Sequence, residues 1–129
     1  MRNEKEHHLQ KALFEWMKLV GYKYPELDLA FAIPNGGHRH MSVARKLKEE
    51  GVKAGVPDIF IPVPSGIFHG MFIECKIKPN KLTNNQTNMI KMLERIGYCC
   101  VVVYELEEAI NHITKYMDLR EKIIEIQIK

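Results

Sequence analysis

The chain has 129 residues, with 46% apolar and 27% charged side chains and a formal net charge of +3. That length suits one hydrophobic core, and the balance is that of a globular chain and not a disordered one. No apolar run approaches the ~20 residues that span a bilayer, and the charged opening "MRNEKEHHLQ" lacks the apolar region of a secretory signal.

In chain order, Leu9, Leu13, Trp16, Met17 and Val20 fall at helical spacing, which predicts a helix over about 4–20 that stops at Gly21. "DLAFAI" at 28–33 reads as a short strand. "PNGG" at 34–37 then forces an irregular loop, because glycine reaches backbone angles other residues avoid. A second helix is expected over about 41–50, ended by Gly51. "DIFIPVP" and "GMFIECK" flank "SGIFH" and form a hairpin whose turn is marked by Ser65, Gly66 and Gly70. Pro62 lacks a backbone donor and places its strand at an edge or in irregular register.

After the loop "KPNKLTNN", Thr83 or Asn84 can cap a helix running to Ile96, with Gly97 beyond it. "YCCVVVY" at 98–104 is a continuous apolar run, as in a strand covered on both faces. "ELEEAINHITKYM" follows as a fourth helix, and "LREKIIEIQIK" is ambiguous. The order α-β-α-β-β-α-β-α predicts an α/β fold with a mixed sheet flanked by helices. Strands two and three should be antiparallel, and three and four parallel through the helix between them. No repeat or linker divides residues 1–129, so one domain is expected.

Asp58 opens the first hairpin strand, and Glu74 and Lys76 close the second. Side chains alternate across a strand, so Glu74 and Lys76 share one face while Cys75 points to the other. A turn around 66–68 opposes 60 with 74 and 58 with 76, which sets Asp58 beside Lys76 and diagonal to Glu74. A one-residue slip would reverse the face of Asp58. Buried charge must be paired, hydrogen-bonded or metal-bound. Two convergent carboxylates repel, and a hard divalent ion, Mg2+ or Mn2+, relieves that repulsion, with the Cys75 carbonyl available to complete its inner shell. The plain alternative is a structural ion pair of both acids with Lys76.

Gln86 lies on the line of Met89, Ile90 and Leu93 and should face the sheet, while Glu6 heads the apolar stripe of the first helix, where a carboxylate also suits the dipole. The three cysteines, Cys75, Cys99 and Cys100, lie in apolar stretches without metal-binding spacing, as reduced packing thiols do. Catalysis by Cys99 or Cys100 is disfavoured there. Basic residues gather between His38 and Lys53 (Arg39, Arg45, Lys46, Lys48, Lys53) and again at Lys76, Lys78 and Lys81. The glycines of "PNGGHRH" allow close approach to phosphates, with Asn35, His38 and Arg39 as donors.

"EHHLQ" from Glu6, "IPNGGHR" at 33–39, "AGVPD" at 54–58, "IECK" at 73–76 and Gln86 together resemble the VRR-NUC branch of the PD-(D/E)XK nuclease superfamily, over about residues 4–117. The resemblance implies metal-dependent hydrolysis of DNA phosphodiesters, often at branched or flapped structures. By that likeness Asp58, Glu74 and the Cys75 carbonyl bind Mg2+ or Mn2+, and Glu6 contacts the metal directly or through water. Lys76 matches the family lysine, acting as base or electrostatic stabiliser, and Gln86 supports it or the attacking water. DNA contacts are expected at Asn35, His38, Arg39, Lys46, Lys78 and Lys81. Stand-alone domains of this kind resemble junction-resolving enzymes, so a homodimer cutting four-way (Holliday) junctions is expected, cytoplasmic and of phage or prophage type. The alternatives are a flap or single-strand-overhang nuclease of the same fold, or a DNA-binding module without catalysis. Residues 118–129 fall outside the resemblance.

Overall fold

The computed structural model describes residues 3–34 and 40–128. Helix α1 (Glu4–Leu19) begins at Asn3, whose side chain accepts from the Lys5 N–H at 2.7 Å, and Glu4 and Glu6 in its first turn complement the helix dipole. Its buried stripe is Leu9, Leu13 and Met17. A 3-10 helix follows over Pro25–Leu29, with the proline at its first position. That turn consumes the first half of the segment expected as a strand. The Ala30 N–H bonds back to the Leu27 carbonyl at 3.1 Å, and strand β1 is only Phe31–Ala32.

Helix α2 (Met41–Glu49) is capped by His40 and buries no residue. Strands β2 (Ile59–Ile61) and β3 (Met71–Cys75) form the hairpin, helix α3 (Asn84–Arg95) follows, and strand β4 (Cys99–Val103) leads into helix α4 (Leu106–Ile128). The sheet order is β1-β2-β3-β4, antiparallel across the first two pairs and parallel between β3 and β4. This is the expected mixed α/β sheet, with α3 as the crossover. Among the described residues no helix is long and apolar enough to cross a membrane.

The hairpin pairs Ile59 with Ile73, Phe60 with Phe72 and Ile61 with Met71. Its centre lies near Gly66, so the register is shifted by two residues from the sequence expectation. Pro62 ends β2, and Ser65 and Phe68 close the turn by exchanging backbone hydrogen bonds at 3.1 and 2.9 Å. Ile59, Ile61, Met71, Ile73 and Cys75 present one fully buried face to Leu9, Leu13 and Met17 of α1 and to Ala109, Ile113 and Met117 of α4. The opposite face carries Phe60 and Phe72, both half-buried, and α3 packs along β4.

Strand β4 departs from expectation. It lies at the sheet edge, and only Val103 is buried, its other four residues being half-buried. A run of valines and cysteines there reflects β propensity on a partly covered edge and not burial on both faces. The ambiguous tail is also settled: α4 continues through it for 23 residues in all. Leu119 and Ile123 continue the apolar stripe of α4 and meet the turn at Gly66, whose added Cβ would lie 3.1 Å from Leu119.

The same turn is fastened to α4 by polar contacts. The buried Ser65 hydroxyl donates to the Tyr116 carbonyl and the Tyr116 hydroxyl to the Val63 carbonyl, both at 2.6 Å. Burial pushes the Tyr116 phenol above its usual 10.0, so it stays a donor through neutral pH. Its linked stability is complete below that value and is lost as pH rises beyond it. Tyr116→Phe leaves the Val63 carbonyl without its donor and should lower unfolding free energy by about 1–3 kcal/mol in urea titrations at pH 7. An unchanged midpoint would show that this hydroxyl does not hold the turn.

Candidate active site

The segment Gly55–Val56–Pro57–Asp58 enters β2 beneath the start of α3. Gly55 has φ +90°, and a Cβ there would lie 2.5 Å from the Asn85 carbonyl oxygen and 3.0 Å from the Gln86 nitrogen. Only glycine permits both that backbone conformation and that approach. The loop therefore sits directly against the first turn of α3, the turn that carries Gln86.

Asp58 is held by backbone and side chain alike. Its carbonyl accepts from the Ile33 N–H at 2.7 Å, and its Oδ2 accepts from the Cys75 N–H at 2.8 Å. The second bond has a structural reason. In the β3 register, the Cys75 N–H points toward β2, whose ladder ends at Ile59, and Pro57, lacking an N–H, cannot donate to the Cys75 carbonyl. Beyond the end of that ladder the Asp58 carboxylate accepts from the Cys75 N–H. A strand residue directs its N–H and C=O to the same neighbour, so the Cys75 carbonyl is directed to the Asp58 side as well.

Continuing the register one step opposes Asp58 directly to Glu74. The sequence expectation set Asp58 against Lys76. A two-residue shift preserves the face, since side chains alternate with period two. The two carboxylates are thus cross-strand neighbours, a relation that places Cβ atoms about 4.5–5.5 Å apart. Glu74 is only 4% exposed, and the Cys75 thiol points into the core on the other face.

Gln86 holds Glu74. Its Oε1 accepts from the Thr83 N–H at 2.9 Å while Thr83 Oγ1 accepts from the Gln86 N–H at 3.2 Å, a reciprocal helix cap. With the oxygen committed to the cap, Nε2 turns to Glu74 Oε2 at 3.3 Å. A glutamate would also complete such a cap but could not donate to a carboxylate. One side chain thus starts α3 and orients an acid of the site.

Lys76 is 8% exposed and held through its backbone N–H on the Val103 carbonyl at 2.9 Å. It follows Glu74 by two residues at the end of β3, at the same end of the sheet as the two acids. Glu6 is half-buried in the first turn of α1, the helix that packs on β3. Among the described residues, no three His, Cys, Asp or Glu side chains converge closely enough to hold a metal by themselves.

Asn35, His38 and Arg39 lie outside the described residues. Lys46 is exposed in the last turn of α2, and Lys81 is exposed in the loop before α3. Lys78 is exposed with its Nζ 5.9 Å from the Tyr104 ring centroid. Burial, with a smaller contribution from Glu94, raises the thiols of Cys99 and Cys100, the latter to about 12. Neither supplies a thiolate at neutral pH, as the sequence led us to expect. Sequence reasoning singled out Gly55 within its motif but missed its contact with α3; the glycine just ahead of Pro57-Asp58 was the available signal.

A mixed sheet that places acids on neighbouring strand ends, a lysine two residues on and a glutamine from the next helix defines a nuclease-type domain of the PD-(D/E)XK class. The chain belongs to the VRR-NUC family, whose domain model matches residues 2–105. A solved structure titled "VRR_NUC domain protein" is 32% identical, has a TM-score of 0.78, and is matched over 92% of this chain and 93% of that one. No curated protein matches the chain. The family match includes Glu6, Asp58, Glu74, Cys75, Lys76 and Gln86, and implies DNA as substrate.

Proposed function

We propose that this chain is a metal-dependent DNA endonuclease that hydrolyses phosphodiesters at four-way junctions as a homodimer. The observation that carries the catalytic part is the anchoring of Asp58 Oδ2 on the Cys75 N–H, next to Glu74, whose carboxylate accepts from the Gln86 amide. Two carboxylates and a strand carbonyl are hard oxygen donors, a set that fits Mg2+ or Mn2+ and not zinc. When bound by Asp58, Glu74 and the Cys75 carbonyl, such an ion would supply Lewis acidity to a phosphate oxygen and acidify a water. Magnesium retains several waters, which suits a site with two carboxylates.

The chain's own groups have separable tasks. The Cys75 N–H fixes one oxygen of Asp58, and the Gln86 amide fixes one oxygen of Glu74. Lys76, on the face of Glu74, either takes a proton from water or stabilises negative charge developing on the phosphate. Glu6, in the first turn of α1, contacts the metal directly or through water. Lys46, Lys78 and Lys81, with Asn35, His38 and Arg39, bind the DNA backbone. Two copies related by a twofold axis would present equivalent sites to the two strands of a junction.

Incubating a four-way junction, a splayed arm and plain duplex with Mg2+, Mn2+ or EDTA tests this reading, with sedimentation reporting the assembly. Paired symmetric cuts in the junction by a dimer are expected. Stronger cutting of the splayed arm by a monomer would point to flap processing. Binding without cutting in both metals would identify a non-catalytic module. Lys78→Ala and Lys81→Ala should each weaken binding for all sequences and reduce the slope of log K against log salt by about 1. An unaltered salt slope would remove these lysines from the DNA path.

A further inference from the structure

Asp58 and Glu74 share their sheet face with a row of aromatic rings. Alternation along β2 and β3 puts Phe60 two residues from Asp58 and Phe72 two residues from Glu74, about 7 Å along each strand. Phe60 and Phe72 stack with centroids 4.4 Å apart and planes at 26°. Phe31, opposite Phe60 in the register, meets it edge-on at 5.7 Å, and Tyr98 braces Phe60 and Phe72 at 6.0 and 5.4 Å. Gly70 makes room for this layer, since a Cβ there would lie 2.9 Å from the Phe60 ring. Phe60, Phe72 and Tyr98 are half-buried, whereas Phe31 is 49% exposed. The outcome is one open aromatic ring on a fixed aromatic base, within roughly 10 Å of the carboxylates by strand spacing.

We propose that Phe31 receives an unpaired nucleobase next to the phosphate that the site cuts. This deepens the nuclease reading and rests on it. Base–aromatic stacking tolerates any sequence, because every base offers a π-face, and it requires that the base be out of its duplex. The platform therefore selects DNA that is splayed at the cut, as at a branch point, over continuous duplex. Its size favours a base over a second protein chain: one open ring is far less than the ~800 Å2 per partner that a stable protein interface buries. Continuity with the carboxylates on the same face points the same way.

The test uses the full chain in EDTA, so that binding is read without cutting. Four-way junctions carry 2-aminopurine at a branch-point nucleotide, or within an arm as control, and fluorescence and affinity are read on the same samples. Wild type should quench the branch-point probe and leave the arm probe unchanged. Phe31→Ala should abolish that quenching and weaken junction binding roughly 5- to 100-fold, with duplex binding unaffected. Phe31→Leu, which keeps the apolar bulk and removes the ring, should behave like alanine, and Phe31→Trp should restore quenching. Circular dichroism confirms the fold of each variant. Quenching that persists in Phe31→Ala would overturn the platform while leaving the nuclease reading intact. So would loss of a wild-type dimer in Phe31→Ala, which would assign the ring to a second copy. If wild type neither binds nor cuts any of the DNAs, the nuclease reading itself falls and the platform with it.

Discussion

Asp58→Asn and Glu74→Gln should each lower the cleavage rate by at least ~10³-fold, with the fold intact. The scale is that of losing about 4 kcal/mol of transition-state stabilisation, the upper end for removal of one well-placed charged or polar group. The amide substitutions separate charge from shape. An asparagine at 58 still offers a carbonyl oxygen to the Cys75 N–H, and a glutamine at 74 still offers one to the Gln86 amide. Both variants keep these hydrogen bonds, so thermal melts should show the fold retained. Asp58→Ala differs, because it leaves the Cys75 N–H without its acceptor and should cost about 1–3 kcal/mol in addition to activity. Single-turnover cleavage with Mg2+ or Mn2+, run beside thermal melts, reads both effects. Wild-type cleavage by either amide variant would remove that acid from the catalytic set.

Gly55→Ala should lose about 2–5 kcal/mol of stability and most of its cleavage rate. Two penalties add there: a side chain at φ +90°, and a Cβ 2.5 Å from a backbone oxygen that cannot swing away. Relief requires the Gly55–Asp58 segment to lift off α3, which shifts Asp58 relative to Glu74 and Gln86. Gly51→Ala is the control. Its φ is +104°, yet nothing lies within 4 Å of the added atom, so it meets the backbone penalty alone. It should cost about 1–2 kcal/mol and leave cleavage unchanged. Equal activity losses in the two variants would mean that general destabilisation, and not the loop–helix contact, governs the site.

The contrast between these glycines shows where sequence reading reaches its limit. Gly51 was legible as the end of a helix and Gly55 as part of a motif, but only tertiary structure distinguishes one facing solvent from one pressed against a helix backbone. Gln86 is similar. Its helical spacing placed it toward the sheet, and Thr83 was a recognisable cap. That a single amide serves the cap through oxygen and Glu74 through nitrogen depends on where α3 starts relative to β3. Phe31, Phe60, Phe72 and Tyr98 are ordinary strand residues until the register sets them in one layer.

Local pattern by itself determined the order of helices and strands, the hairpin, the parallel crossover and the identity of the acidic, basic and amide residues. These follow from periodicity, capping and turn chemistry, which act between residues a few positions apart. The hairpin register, the shortening of β1 by a 3-10 turn, the edge position of β4 and the continuation of α4 through the tail were decided only by assembly. The physical reason is common to all four. Each depends on which apolar surface is covered by a distant segment, and burial energy of that kind is shared between elements and written in neither one alone.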